Sequence, residues 1–303
     1  MEPAATPPRS IRFADFDRGS TRIDGVEIAW RKAGQGPPLL LLHGHPQTMI
    51  IWDRIAPRLA ERFTVVASDL RGYGASGKPP TTPDHAPYSK RAMALDQVGL
   101  MKHFGFDRFQ LVGHDRGGRV AHRLAVDHPQ AVERLAVLDI APTLAMYEKV
   151  GKAMATTYWH WFFLIQPAPM PETLIAGNPL AYLKGLTGTR HVGYDSFSEE
   201  ARATYLACVS DPATVHAMCE DYRAAASIDL VHDRADRDAG VKIRCPLQVL
   251  WGRHGVIQRD YDALAEWRRV ADDVRGQALD CGHYIPEEAP DALLQALDAF
   301  LLR

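Results

Sequence analysis

The sequence predicts an α/β fold in which a mostly parallel, doubly wound sheet is interrupted by a helical insertion. Strand-like and helix-like segments alternate up to about residue 141, which is typical of consecutive β-α-β units. The alternation breaks over residues 142–240, where helical patches rich in aromatic residues and prolines replace it, and it resumes at Pro246. We therefore assign residues 1–141 and 241–303 to the core and residues 142–240 to a helical cap.

The core begins with a predicted hairpin, since residues 11–33 alternate polar and apolar side chains around a turn at Asp24-Gly25. The continuous apolar run at 38–43 is typical of a strand buried on both faces. Further strands are predicted at 63–68, 109–113 and 135–140, and helices at 52–62, 88–104 and 119–128. After the cap, strands are predicted at 246–251 and 277–279, and helices at 261–270 and 289–302.

Composition excludes several classes of function. A net charge of −2 over 303 residues provides no field that would attract nucleic acid or an anionic membrane. The longest apolar run, residues 158–165, is far shorter than the roughly 20 residues of a membrane span, and the N-terminus does not resemble a secretion signal. The four cysteines have no zinc-site or redox spacing. We expect free thiols in a cytoplasmic protein without nucleic-acid or membrane partners.

The segment from Leu111 to Arg119 predicts a strand, a sharp turn and a helix. Its pattern Gly113-x-Asp115-x-Gly117 matches the nucleophile elbow of α/β-hydrolases, with aspartate where serine is usual. An elbow exposes its central side chain and aims backbone N–H groups at the same place. The competing interpretation is that Asp115 only caps the helix.

Two histidine motifs lie where the oxyanion hole and the catalytic base of an α/β-hydrolase occur along the chain. His43-Gly44-His45-Pro46 follows a buried strand, where a second oxyanion-hole N–H belongs, so the backbone N–H groups of His45 and Arg116 would form that hole. His283 follows the last predicted strand, where the catalytic base belongs. Taken alone, the first motif is an ordinary turn and the second an ordinary structural histidine.

The acid that orients the base is harder to assign. The loop at 251–256 contains no carboxylate, so Asp139, at the end of the strand preceding the cap, is the better candidate. A carboxylate there could fix the tautomer of His283 and stabilise its protonated form. Asp139 could instead cap the first cap helix, and Asp260 is the second candidate for the acid.

An aspartate nucleophile changes the reaction. It displaces a leaving group at saturated carbon and forms an ester, and the histidine then activates water to hydrolyse that ester. Two reactions are compatible with such a nucleophile: dehalogenation and the opening of an epoxide. Arg116 and Arg119 lie three residues apart and could flank Asp115, which favours a substrate with its own carboxylate, although either could be a surface cation.

The sequence resembles the fluoroacetate (haloacetate) dehalogenases along nearly its whole length. The shared motifs include His-Gly-His-Pro-Gln-Thr at 43–48, Lys-Arg-Ala-Met-Ala at 90–94, Gly-His-Asp-Arg-Gly-Gly-Arg at 113–119, Val-Leu-Asp-Ile at 137–140, His160-Trp161 followed by Gln-Pro-Ala-Pro at 166–169, Met-Cys-Glu-Asp-Tyr-Arg at 218–223, Gly282-His283 and Pro-Glu-Glu-Ala-Pro at 286–290.

The resemblance implies an α/β-hydrolase fold and a homodimer. It implies that Asp115 is the nucleophile, His283 the base and Asp139 its partner, with Arg116 and Arg119 on the substrate carboxylate. It also implies that His160, Trp161 and Tyr222 donate hydrogen bonds to the leaving halide. Without the resemblance, Trp161 and Tyr222 would be interpreted as cap core.

Two positions depart from the family pattern. His45 replaces the phenylalanine of the His-Gly-x-Pro motif, where a polar ring could alter the pH dependence. The stretch 181–196 lacks the tryptophan expected near the substrate channel, so we expect a wider mouth and a less strict preference for fluoroacetate.

We therefore predict a hydrolase that cleaves the carbon–halogen bond of short 2-haloacids without a metal or organic cofactor. One alternative is a soluble epoxide hydrolase that uses Asp115 together with the cap tyrosines Tyr158 and Tyr222. A non-catalytic ligand-binding relative of the same fold is the other.

Overall fold

The computed structural model describes residues 11–188 and 190–302. Eight strands form one sheet: β1 Asp17–Ile23, β2 Val26–Ala33, β3 Pro38–Leu42, β4 Thr64–Ser68, β5 Phe109–His114, β6 Val132–Leu138, β7 Leu247–Gly252 and β8 Val274–Leu279. Their order is β1-β2-β4-β3-β5-β6-β7-β8, with β2 antiparallel to both neighbours and all other pairs parallel. This is the predicted α/β fold with a mostly parallel sheet.

The strands at the centre of the sheet are buried on both faces, as their apolar sequences predict. Leu39 to Leu42 on β3 are fully buried, and every residue of β4 and β5 is buried. The predicted hairpin is also present, because β1 pairs with β2 in antiparallel register. Its turn has φ values of 43° at Asp24 and 86° at Gly25, which suit a tight two-residue turn.

Helices connect and cover the strands. The core helices are α1 Ala56–Leu59, α2 Lys90–His103, α3 Arg116–Asp127, α12 Val256–Asp260, α13 Ala263–Arg268, α14 Ile285–Glu288 and α15 Pro290–Leu301. Between β6 and β7 lie α4 Thr143–Glu148, α5 Lys152–Thr157, α6 Trp159–Leu164, α7 Met170–Gly177, α8 Pro179–Thr187, α9 Glu199–Ser210, α10 Pro212–Ala226 and α11 Ile228–Asp238. Short 3-10 helices occur at Phe13–Asp15, Met49–Trp52, Ala86–Tyr88 and Gly193–Ser196.

The segment 142–240, called the cap below, contains helices and no strand among its described residues. Helix α10 contacts α6, α7, α9 and α11, so it lies at the centre of these four cap helices. No helix in the described part of the chain is both long and apolar enough to cross a membrane.

Three helices differ most from their predicted bounds. The predicted helix at 52–62 is a 3-10 turn followed by the four-residue α1, which begins just before Pro57 because proline is tolerated only in a first helical turn. Helix α3 begins at Arg116 and not at residue 119, since Gly117 and Gly118 hide its first turn from an apolar pattern. The predicted helix at 261–270 is shorter and is preceded by the separate α12.

Candidate active site

Asp115 lies at the tight turn between β5 and α3 with a φ of 47°, in a backbone region that few residues other than glycine adopt. The flanking glycines allow this turn. A Cβ on Gly117 would lie 2.3 Å from the carbonyl oxygen of His43, and one on Gly113 would lie 2.6 Å from that of Gly117. The Gly113-x-Asp115-x-Gly117 pattern is therefore a steric requirement of this geometry.

The Asp115 carboxylate does not cap its helix, in contrast to the competing interpretation of the sequence. Its Oδ1 atom accepts a hydrogen bond of 2.9 Å from the backbone N–H of His45. Its Oδ2 atom lies 3.8 Å from Nε2 of His283, which has no hydrogen-bond partner in the described structure. The two oxygens therefore differ: Oδ1 is held by the backbone, and Oδ2 faces the histidine.

Electrostatics keep Asp115 ionised. Burial alone would raise the pKa of its carboxyl group. Electrostatic interactions with His283, His114, Arg119 and Arg116 outweigh burial and hold this pKa well below its usual range. Asp115 is consequently a carboxylate at any pH near neutrality, as a nucleophile must be.

His283 and Asp139 form a close pair beside Asp115. Nδ1 of His283 lies 2.6 Å from Oδ2 of Asp139, and Oδ1 of Asp139 accepts a bond of 2.9 Å from the backbone N–H of Gly252. Asp139 does not begin α4, whose N-cap residue is Pro142. Asp260, the second candidate, is paired with Arg259. The geometry thus favours Asp139 as the partner of His283.

Arg116 is fully buried and is held by a carboxylate that the sequence did not single out. Its Nε atom donates to Oδ2 of Asp221 at 2.9 Å, and its Nη2 atom donates to Oδ1 at 2.6 Å. Lys90 bonds the same carboxylate, so Asp221 is shared by two cations. The guanidinium also lies over the ring of Tyr222, 4.1 Å from its centroid. Only Nη1 of Arg116 has no partner in the described structure.

Arg119 is buried without a carboxylate partner within the described structure. Its Nη1 atom donates to the carbonyl oxygen of Ala141 at 3.1 Å and to Oγ1 of Thr143 at 2.9 Å. Its Nε atom has no partner, and the guanidinium lies 4.6 Å from the ring centroid of Trp161. Neither arginine is therefore a surface cation, and each has one nitrogen free to bind a ligand.

Three buried side chains on α6 and α10 have polar atoms without partners in the part of the chain that the structure describes. These atoms are Nδ1 of His160, Nε1 of Trp161 and the hydroxyl of Tyr222. The three rings pack together, with centroids 5.8 Å apart for His160 and Tyr222 and 6.3 Å apart for Trp161 and Tyr222. Buried donors are normally paired, so this cluster is suited to an acceptor that enters the site.

His45 lies within the same aromatic cluster. Its ring stacks parallel to that of His160 at a centroid distance of 6.1 Å, and its Nε2 atom lies 2.9 Å from the hydroxyl of Tyr182. Burial lowers the pKa of His45 to about 3. The ring is therefore neutral across the working range of an enzyme, and the expected influence of His45 on pH dependence does not follow.

The substitution His45→Phe is accordingly expected to leave the pH profile of kcat/KM between about pH 5 and 9 unshifted, because His45 titrates below that range. The rate itself should change by only about threefold or less, since the backbone N–H of residue 45 is retained. His45→Gln is the polar control. A displaced acid limb in the phenylalanine variant alone would show that His45 titrates during turnover.

Four residues of the site were not identified as such from the sequence. Asp221 and Lys90 lie inside shared motifs, which was the only available signal, and Tyr182 and Arg190 lie in the cap stretch noted for its missing tryptophan. Arg190 places Nη2 3.4 Å from Nε2 of His160.

Comparisons with known proteins identify the fold family of the chain and several of its relatives. The family model described as "alpha/beta hydrolase fold" matches residues 37–290. The chain is 45% identical over 290 residues to a fluoroacetate dehalogenase from a Burkholderia species, covering 95% of both. It is 36% identical over 279 residues to a soluble epoxide hydrolase from Corynebacterium sp. (strain C12), covering 90% of this chain and 92% of that protein.

A solved structure is similar over the same extent. A chain from Nostoc sp PCC 7120 that is assigned to the alpha/beta hydrolases has a TM-score of 0.93 and 54% sequence identity, covering 95% of this chain and 99% of that one.

Proposed function

From its membership of the α/β-hydrolase fold family, and from its similarity to a fluoroacetate dehalogenase over 95% of the chain, we propose that this hydrolase cleaves the carbon–halogen bond of short 2-haloacids such as fluoroacetate and chloroacetate. The observation that carries the proposal is the cluster of three unpartnered buried donors, His160, Trp161 and Tyr222, in a site whose nucleophile is an ionised carboxylate. Fluoride is strongly hydrated, so a dry site must replace its hydration with fixed donors.

In the first step, Oδ2 of Asp115 attacks the carbon that carries the halogen. A carbon–oxygen bond forms, the carbon–halogen bond breaks, and the halide leaves with the bonding electron pair. The hydrogen bond from His45 holds Oδ1, which leaves Oδ2 as the attacking atom. The enzyme then carries the acid as an ester on Asp115.

In the second step, Nε2 of His283 takes a proton from water, and the resulting hydroxide attacks Cγ of Asp115. Negative charge develops on Oδ1, which already accepts the N–H of His45, and the backbone N–H of Arg116 is the second donor that we propose. The bond between Cγ and the ester oxygen Oδ2 then breaks, protonated His283 returns its proton to that oxygen as the 2-hydroxy acid leaves, and the new carboxyl group of Asp115 loses its proton to solvent to restore the carboxylate. Asp139 stabilises the protonated His283 during this step.

The free nitrogens of the two arginines suit the carboxylate of the substrate. Nη1 of Arg116 and Nε of Arg119 are unpartnered in the described structure. Asp221 already compensates the charge of Arg116, so Arg119 contributes more of the net attraction for a substrate anion.

Replacing Arg119 by methionine is therefore expected to raise KM for chloroacetate by about 10- to 100-fold, the loss of one charge-assisted hydrogen bond. Arg119→Lys should recover part of this loss because it restores the charge. Chloroacetamide, which carries no charge, is the matched control and should lose much less. Because Arg119 also bonds Ala141 and Thr143, thermal unfolding of each variant must confirm that the fold is intact. An equal loss with both substrates would mean that Arg119 does not bind the carboxylate.

Epoxide hydrolysis is the second candidate, supported by the Corynebacterium relative and by the buried Tyr158 and Tyr222. The deciding experiment measures halide released from fluoroacetate and chloroacetate at mildly alkaline pH, and diol formed from styrene oxide, with the same enzyme preparation. Halide release with little diol supports the proposal. Diol without halide would replace it with epoxide hydrolysis, and no turnover of either substrate would favour a ligand-binding relative.

We further propose that the enzyme works as a cytoplasmic homodimer, which the family resemblance and the unremarkable cysteine spacing suggest. All four cysteines are free, with Cys219 and Cys281 buried. Light scattering coupled to size-exclusion chromatography tests the dimer directly.

A further inference from the structure

Arg190 is a cap residue that lies in the active site but has no role in the mechanism above. It follows α8 and precedes the 3-10 helix at Gly193–Ser196. Its Nη2 atom lies 3.4 Å from Nε2 of His160, and its Cζ atom lies 5.4 Å from the ring centroid of Tyr158. It also lines a small cavity that reaches His283 and Asp139. The guanidinium therefore contacts the donor cluster and lines a cavity that His283 also lines.

The charge of Arg190 has no carboxylate within 4 Å in the part of the chain that the structure describes. Arg119, which we propose to bind the substrate carboxylate, also lacks such a partner, whereas four other buried arginines have one. Arg71 pairs with Asp96, Arg116 with Asp221, Arg123 with Asp233 and Asp236, and Arg223 with Glu172 and Glu220. Arg190 is partly buried and forms no ion pair of its own, and removing a cation from water without such a partner is costly, which is a physical reason to expect that an anion approaches Arg190 during function.

We propose that Arg190 stabilises the leaving halide electrostatically, across the ring of His160, as its negative charge develops. The inference rests on the proposed function and names a residue beyond the three ring donors of that proposal. During carbon–halogen cleavage one negative charge moves from Asp115 to the halogen. A cation next to the ring donors is close to where the charge arrives, so it stabilises the transition state more than the ground state.

The contact with His160 supports the same role. A guanidinium only donates hydrogen bonds, so Nε2 of His160 must accept, and the imidazole proton then resides on Nδ1. Burial lowers the pKa of His160 well below its usual value, and the charge of Arg190 lowers it further, so the ring is neutral. Nδ1–H is the unpartnered buried donor already described. Arg190 thus adds charge to the halide site and keeps the proton of His160 on the free nitrogen.

Halide binding to the substrate-free enzyme tests the proposed role of Arg190 without requiring turnover. Line broadening in chloride-35 NMR measures chloride affinity for the wild type and for Arg190→Leu, Arg190→Lys and Arg259→Leu. We expect Arg190→Leu to weaken chloride binding by about tenfold or more, and Arg190→Lys to recover most of the affinity. Arg259 lines the same cavity but is paired with Asp260, so Arg259→Leu should bind chloride like the wild type.

Turnover provides a second readout. Arg190→Leu should slow fluoride release from fluoroacetate more than bromide release from bromoacetate, because fluoride depends most on hydrogen bonds and charge. Unchanged chloride affinity in Arg190→Leu, or no chloride binding by the wild type, would overturn the role of Arg190. Chloride binding that depends on Arg190, without halide release from any haloacid, would retain the anion site and refute the proposed reaction.

Discussion

Asp115→Asn is expected to abolish halide release, with a loss of at least about 10⁴-fold in kcat. A neutral amide cannot displace a halide, whereas the remaining geometry should persist. Asparagine tolerates the φ of 47° at this position better than other residues with a Cβ, and its amide oxygen can still accept the N–H of His45. Halide release measured by an ion-selective electrode checks the effect, with the unfolding temperature as the test of an intact fold.

A labelling experiment identifies the nucleophile independently. In the proposed mechanism the product receives its oxygen from Asp115, and Asp115 receives one from water. A single turnover in H₂¹⁸O should therefore label the peptide that contains Asp115 and leave the product unlabelled. Activity in freshly prepared Asp115→Asn, with mass spectrometry excluding deamidation back to aspartate, would contradict the mechanism. Label appearing first in the product would instead indicate direct attack by water.

The elbow could be predicted from sequence because its constraints are local. The contacts of Gly113 and Gly117 with neighbouring backbone leave no room for a Cβ, so the pattern marks the turn. Asp139 and His283 could be predicted because both follow strands of a parallel sheet, whose carboxyl ends meet at one edge.

The electrostatic network around the elbow could not be predicted in the same way. Arg116 meets Asp221 across 105 positions of sequence, through the docking of α10 onto the core. Nothing in the spacing of charged residues along the sequence indicates that Arg116 forms an ion pair with a carboxylate whereas Arg119 does not. Arg190 lies in an irregular cap segment without a periodic pattern, so its position depends entirely on how the cap packs.

Trp161 and Tyr222 show why two interpretations of an aromatic residue need not compete. Both are fully buried and packed against other rings, as residues of a cap core should be. Their polar atoms are nevertheless unpartnered in the described structure. An apolar body with one free donor serves packing and ligand binding together, and composition reveals only the first role.

His283→Gln is expected to separate the two chemical steps. Alkylation of Asp115 needs no base, so each active site should still release one halide, after which turnover should stop. We expect kcat to fall by about 10³-fold or more because water is no longer activated. Rapid-quench measurement should show a burst of halide equal to the enzyme concentration, and mass spectrometry should find the ester on the peptide that contains Asp115.

The chemical identity of that ester decides between the two candidate reactions, because both share Asp115 and His283. A haloacetate leaves a carboxymethyl group on Asp115, whereas an epoxide leaves a hydroxyalkyl group. Asp139→Asn is the matched control, since it retains His283 and should slow hydrolysis without blocking it. If His283→Gln released no halide at all, His283 would be needed for the first step as well. The proposal that Oδ2 of Asp115 alone performs the first step, and that Nε2 of His283, 3.8 Å away, acts only in the second, would then be wrong.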